Sequence, residues 1–289
     1  MAIKPRGWML GLFILVPLIP LLLFWIFPLI VSIWLSFTNW DFIRSSFDYV
    51  GFKNYSRLFQ DSEFQDAIWR TIYFTFFSVV PIIVLGFLTA LILMNIKIGR
   101  KIVRGLIFSP WITPMIGMSI VWSWLFNSQV GPINRVLSSL GIPAPNWLAD
   151  SQYAIWVVII VTVWKNIGWA SLFYADALAK IPKSLIEVSD TEGLSTWQRT
   201  RYVLAPLVMP TTLFLIIISS LDCLQAYDQI TVLTQGGPAG STRTLLYLYY
   251  ELGFSRFDMG EATALSIVLL VVTAGLSFLF IRCTKNLSF

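Results

Sequence analysis

The stretch LIEVSDTEGLSTWQRTRYVLAP, residues 185–206, is the key to the architecture, because it places five charged residues (Glu187, Asp190, Glu192, Arg199 and Arg201) between two apolar runs. Local rules fold it into two short helices. SLIE at 184–187 reads as a capping box, in which the Ser hydroxyl and the Glu carboxylate take up free amides at a helix start; Pro182 suits the turn into it. Gly193 is a natural stop, since glycine tolerates the left-handed backbone just past a helix end. The first helix is therefore expected over 185–192. STWQ at 195–198 repeats the capping box and opens a second helix that runs on into the next apolar run. A helix this short is marginal in water, because nucleation costs too much. It needs a surface, and Leu185, Ile186, Val188, Leu194 and Trp197 offer apolar groups for a partner to cover. Two readings stay open on physics alone: a docked helix, and a solvated loop lying against a bilayer.

On both sides of this loop the chain is apolar. Of 289 residues, 57% are hydrophobic and only 12% charged, against about 25% charged in an average soluble domain. Mean hydropathy is +0.75, which reads as an all-α polytopic membrane protein. Runs long enough to cross about 30 Å of hydrocarbon, roughly 20 helical residues, give six expected transmembrane helices. They lie at about 8–38, 71–96, 105–127, 153–178, 202–222 and 261–282 of a single domain, 1–289, with the charged loop at 179–201. The first run is too long for a signal-peptide core and is read as retained; Pro17, Pro20 and Pro28 kink it or mark its ends.

Charge chooses the side. With the N-terminus inside, the inner segments hold twelve basic residues: Lys4, Arg6, Lys97, Arg100, Lys101, Arg104, Lys180, Lys183, Arg199, Arg201, Arg282 and Lys285. The outer segments hold six: Arg44, Lys53, Arg57, Arg135, Arg243 and Arg256. That bias places both termini in the cytoplasm. The net charge of +5 is explained by those loops, and nucleic acid is not an expected partner; membrane lipid is.

Composition also excludes chemistry. There is no histidine, which removes the commonest general base and metal ligand. Cys223 and Cys283 lie sixty positions apart in or beside apolar runs and read as buried free thiols, not a metal site. No carboxylate dyad or nucleophile–base pair is placed within the bilayer, so an enzyme is not expected. No Walker-type phosphate loop is present.

Charges inside spans are costly and usually functional. Lys165 falls mid-span in the fourth run, with Asn166 and Trp169 following it. Asp222 falls toward the outer end of the fifth, with Gln225, Tyr227 and Asp228 just beyond. A Lys165–Asp222 ion pair is weighed against a depth difference of roughly 10 Å at about 1.5 Å per residue. Lys165 reads equally as a pin between helices. Trp169 reads as packing or as a platform for a ring. Asp176 and Lys180, one turn apart, read as a surface pair, Gly236, Gly237 and Pro238 as a turn, and Tyr247, Tyr249 and Tyr250 as outer-interface anchors.

The residues also resemble a family. Glu187-Val188-Ser189, then Glu192-Gly193-Leu194, then Ala205-Pro206 is similar in spacing to the "EAA" loop of permease subunits in ATP-binding-cassette importers, with both small residues after the Glu changed, Asp replaced by Glu, and Leu before the Pro by Ala. AKIPKSLIE (179–187), YDQITVLTQGGPAGSTRTL (227–245), VGFKNYSRLF (50–59) and VWKNIGW (163–169) resemble motifs of the sugar permeases within that family, in the same order. They are similar to those of the maltose-type F and glycerol-phosphate-type A permeases.

The resemblance implies a type I importer permease (MetI-like) fold in a bacterial or archaeal cytoplasmic membrane. It implies half of a pore, with a second homologous permease subunit as the other half, two ATP-binding-cassette ATPase subunits and an external solute-binding protein. This chain would bind no cofactor; ATP and Mg would be used by the ATPases. Leu185, Ile186, Glu187, Glu192, Gly193 and Trp197 would couple to an ATPase. Lys165, Asn166 and Trp169, and by a looser alignment Asp222, Gln225 and Tyr227, would line the solute path. A di- or oligosaccharide is the expected solute. Glycerol phosphate, a sugar acid, and a stand-alone ion-coupled transporter are the alternatives.

Overall fold

The computed structural model describes residues 7–44, 46–96 and 98–285. Lys4, Arg6 and Lys97, used above to orient the chain, lie outside the described residues, as does the side chain of Cys283. In chain order the helices are α1 (Gly7–Leu21), α2 (Phe27–Leu35), α3 (Lys53–Gln60), α4 (Ser62–Asn95), α5 (Arg100–Ile112), α6 (Met115–Leu125), α7 (Pro132–Ser139), α8 (Ser151–Ala179), α9 (Lys183–Thr191), α10 (Thr196–Arg199), α11 (Ala205–Leu207), α12 (Met209–Leu224), α13 (Asp228–Leu233), α14 (Leu245–Tyr250) and α15 (Met259–Lys285). Among the described residues the sole extended pairing is an antiparallel bridge between Thr38 and Tyr49.

Among the described residues, four helical stretches are long and apolar enough to cross a membrane: Leu15–Leu35, Ser62–Asn95, Ser151–Ala179 and Met259–Leu279. Two bent pairs bring the number to as many as six: α5 with α6, bent by 96°, and α10–α11 with α12, bent by 70°. The breaks have a local cause. Thr113 precedes Pro114 and is extended (φ −72°, ψ 135°), as the residue before a proline prefers. Val208 leaves helical geometry (φ −94°, ψ 7°) two residues before Pro210, in the first turn of α12. Prolines also account for two π-helical turns. Leu22–Ile26 ends two residues before Pro28, and Thr200–Leu204 two residues before Pro206. A proline ring clashes with the carbonyl four residues back and offers it no N–H; widening the preceding turn relieves both problems.

The chain divides into two compact units. In the first (1–64 and 248–271), the VGFKNYSRLF motif clamps the end of the first long helix. Gly51 takes φ +60°, turning the chain into α3. The buried Asn54 amide donates to the carbonyls of Ser36 (2.9 Å) and Thr38 (2.8 Å), and the hydroxyls of Tyr55 and Ser36 meet at 2.8 Å. Gly260 lies so close that a Cβ there would sit 2.1 Å from the Thr38 oxygen. Arg57 bridges to Asp258 (3.2 Å) and the buried Glu261 (3.4 Å). Arg256 pairs with Glu251 (2.8 Å) and with Glu63. Burial works against its charge, but those two carboxylates outweigh it and hold its proton more firmly than usual.

The second unit (65–247 and 272–289) is organised around α8, the most deeply buried of the long helices. Small residues let its neighbours approach, the device expected where lipid offers no hydrophobic drive. A Cβ at Gly168 would fall 2.0 Å from the Ile107 oxygen of α5, and one at Gly86 of α4 would fall 2.7 Å from the Ala170 Cβ. Tyr174 is buried against Phe87 and donates to Thr212 of α12 at 3.0 Å. The TQGGPAGSTR segment is a turn: Gln235, Gly236, Ala239 and Gly240 all have positive φ. The Thr242 hydroxyl donates to the Gly237 carbonyl at 2.9 Å. The Tyr247 ring presses on Gly236, where a Cβ would come within 2.4 Å.

Candidate functional site

Two features stand out, and the same two helices connect them. The first is the loop between α8 and α12. α9 begins at Lys183, two residues earlier than expected, and Pro182 is its N-cap with no side-chain cap bond. This corrects the SLIE capping box: the fixed φ of Pro182 (−57°, ψ 132°) launches the helix directly. Ser184 is thereby drawn into the first turn, past the capping position. The second box is present in full. The Ser195 hydroxyl accepts from the Gln198 N–H (3.3 Å), and the Gln198 side-chain oxygen accepts from the Ser195 N–H (2.8 Å).

The end of α9 is closed by a Schellman motif. Gly193 has φ +71°; its N–H donates to the Asp190 carbonyl (3.1 Å), and the Leu194 N–H to the Ser189 carbonyl (3.1 Å). Arg199 reaches across to Asp190 at 2.7 Å and ties the two short helices together. The result is a preformed hairpin. Its apolar side chains Leu185 (41% exposed), Val188 (58%) and Trp197 (69%) stand in the open, as do Glu187, Glu192 and Gly193. Ile186 and Leu194 are half-buried.

The second feature is a cavity of about 370 Å³ lined from α4, α5, α6, α8, α12, the link 225–227 and α13. It brings together Lys165, Asn166, Asp222, Gln225 and Tyr227, five of the six residues expected on a solute path. Trp169 is not in its wall. Its ring stacks on Trp111 (6.5 Å, 15°), which is in the wall, and tilts against Phe173 (4.9 Å). Sequence reasoning did not place Trp111, Met115, Thr162, Ser219 and Gln229 here; only the fold of the broken α5–α6 pair brings the first two beside α8.

Lys165 and Asp222 share the cavity without pairing. The Lys165 ammonium donates to the carbonyls of Pro110 (3.1 Å), Trp111 (3.1 Å) and Thr113. These are carbonyls freed where α5 ends, the orphan acceptors of a helix C-terminus. A cation there also meets the favourable end of the helix dipole. Lys165 therefore pins the break. Asn166 donates to the Thr162 carbonyl (2.9 Å) and Gln229 to the Thr162 hydroxyl (3.3 Å). Among the described residues no group of three or more His, Cys, Asp or Glu side chains is placed to hold a metal. Asp176 and Lys180 form an exposed pair at 2.7 Å.

The architecture has close counterparts among known proteins. Over 98% of this chain and 97% of the other, it superposes with a TM-score of 0.85 at 22% identity on a chain from the crystal structure of a bacterial ABC transporter involved in the import of the acidic polysaccharide alginate. In sequence the chain is 31% identical, over 97% of its own length and 95% of the other, to the trehalose/maltose transport system permease protein MalF of Thermococcus litoralis. It is 31% identical, over 96% and 95%, to the sn-glycerol-3-phosphate transport system permease protein UgpA of Escherichia coli strain UTI89. Residues 82–288 match the model of the binding-protein-dependent transport system inner membrane component. This multi-pass membrane protein, an importer permease, thus belongs to the family of binding-protein-dependent transport system inner membrane components.

Proposed function

We propose that the chain, as one permease domain of six spans, forms half of the pore of an ATP-driven, binding-protein-dependent importer for a di- or oligosaccharide. One observation carries the reading: α8 and α12 supply the polar cavity at one level and are joined, at their other ends, by the preformed hairpin 183–201. From Lys165 to the end of α8 is about 21 Å of helix, at about 1.5 Å per residue. A partner that grips the hairpin moves both cavity walls as levers.

The grip belongs to an ATPase subunit. The exposed Leu185, Val188 and Trp197 fill its cleft, and Glu187 and Glu192 meet its polar surface. Two such ATPases hydrolyse ATP with Mg; this chain handles neither. Both termini are cytoplasmic. Arg70, in the outer part of α4, raises the outer basic count from six to seven, still well short of the inner twelve. The most apolar stretch of Leu15–Leu35 contains no buried residue, which leaves a surface for a second, homologous permease and for lipid. An external binding protein delivers the solute, in keeping with the family's description.

The test is reconstitution. With a second permease, ATPases and binding protein, ATP should drive uptake of labelled sugar, and Gly193→Pro should leave assembly intact while abolishing uptake. Uptake by the purified chain alone, without ATP, would instead establish a stand-alone transporter.

A further inference from the structure

We propose that the cavity selects an uncharged, polyhydroxylated solute and turns anions away, with Asp222 and Asp228 as the determinants. The inference rests on the importer reading above and narrows its solute class. Three charged residues line the cavity: Lys165, Asp222 and Asp228. An ammonium has three N–H donors and no more. All three of Lys165 are directed at the carbonyls of Pro110, Trp111 and Thr113, so its positive charge is already solvated by backbone dipoles. It has no donor left for a phosphate or a carboxylate.

The two carboxylates are placed differently. Asp222 and Asp228 are both exposed, and neither joins any of the ion pairs or side-chain hydrogen bonds described for this structure. Their acceptor oxygens therefore face the cavity uncompensated. An anion entering it meets like charge and gains no donor from Lys165. A sugar meets the reverse. Carboxylate oxygens accept from hydroxyl groups, and charged acceptors make the stronger hydrogen bonds. Asn166, Gln225 and Gln229 add amide groups to the same wall. A glycerol-phosphate carrier and an importer of an acidic polysaccharide share this fold, so charge at the cavity, not architecture, separates the solutes.

The test reads the cavity's charge without knowing the natural solute. Gln225→Cys is introduced and the complex is assembled with its ATPases and second permease in proteoliposomes. Its modification rate is measured with a cationic and an anionic methanethiosulfonate reagent, each divided by the reagent's rate with a free thiol; the wild type, with its buried Cys223, gives the background. The cationic reagent should react faster by about tenfold or more, and Asp222→Asn with Asp228→Asn should bring the ratio toward one. Equal or greater anion reactivity, a ratio untouched by the two substitutions, or an introduced thiol that no reagent reaches would each overturn the proposal. ATP-driven uptake in the same vesicles reports separately on the importer reading: a complex that imports yet favours the anionic reagent refutes only the charge assignment.

Discussion

Lys165 carries a charge into a span and is held there by backbone alone. Replacing it with Met removes three donors from the carbonyls of Pro110, Trp111 and Thr113. We expect a loss of about 2–4 kcal/mol, since charged hydrogen bonds and newly unsatisfied acceptors both count, read as a lower thermal midpoint of the solubilised assembly. Arginine should not restore it, because a planar fork does not match three converging oxygens. An unchanged midpoint in Lys165→Met would show that the break holds itself. Asn54→Leu should likewise cost about 2–3 kcal/mol, through the two carbonyls it leaves without a donor. The intramembrane lysine was legible in the sequence as a rare charge in an apolar run. Its partners were not, because every residue carries a carbonyl and only a helix break makes some of them free. Side chains alone offered Asp222 as a partner, roughly 10 Å away in depth at about 1.5 Å per residue, and left a pin between helices as the other reading.

Among the elements, α9 and its closing glycine were the most legible, because a Schellman motif is local and Gly193 announces it. The start of α9 was less so, since SLIE fits a capping box wherever the chain entry angle allows, and Pro182 sets another angle. Gly193 separates two effects. Nothing lies within 4 Å of its would-be Cβ, so Gly193→Ala carries only the left-handed backbone penalty, about 1–2 kcal/mol, and should keep most uptake. Gly193→Pro cannot adopt φ +71° and should uncouple ATP hydrolysis from uptake at normal membrane levels. Wild-type coupling in that variant argues against the hairpin. Gly168 is the counterpart inside the membrane: with the Ile107 oxygen 2.0 Å from its Cβ position, Gly168→Ala must push α5 off α8. Its assembly yield should fall sharply, while Gly105→Ala, on the open side of α5, should be silent. The spans expected at 105–127 and 202–222 read as unbroken, yet they are bent by 96° and 70°; an apolar run gives a span's length, and Pro114 and Pro210 mark where each one breaks.

For the chain as a unit, composition established a multi-pass membrane protein and loop charge suggested its orientation. Reporter fusions after residue 285 and within 139–146 should report opposite sides, the first cytoplasmic. The mechanical account depends on what holds the hairpin. A photo-crosslinking residue placed at Val188, 58% exposed on α9, in the intact ATP-dependent complex identifies that neighbour. A crosslink to an ATPase subunit is expected, at an efficiency that changes between nucleotide-free and ATP-bound states. Crosslinking to lipid alone, or to no protein in either state, would refute the lever mechanism.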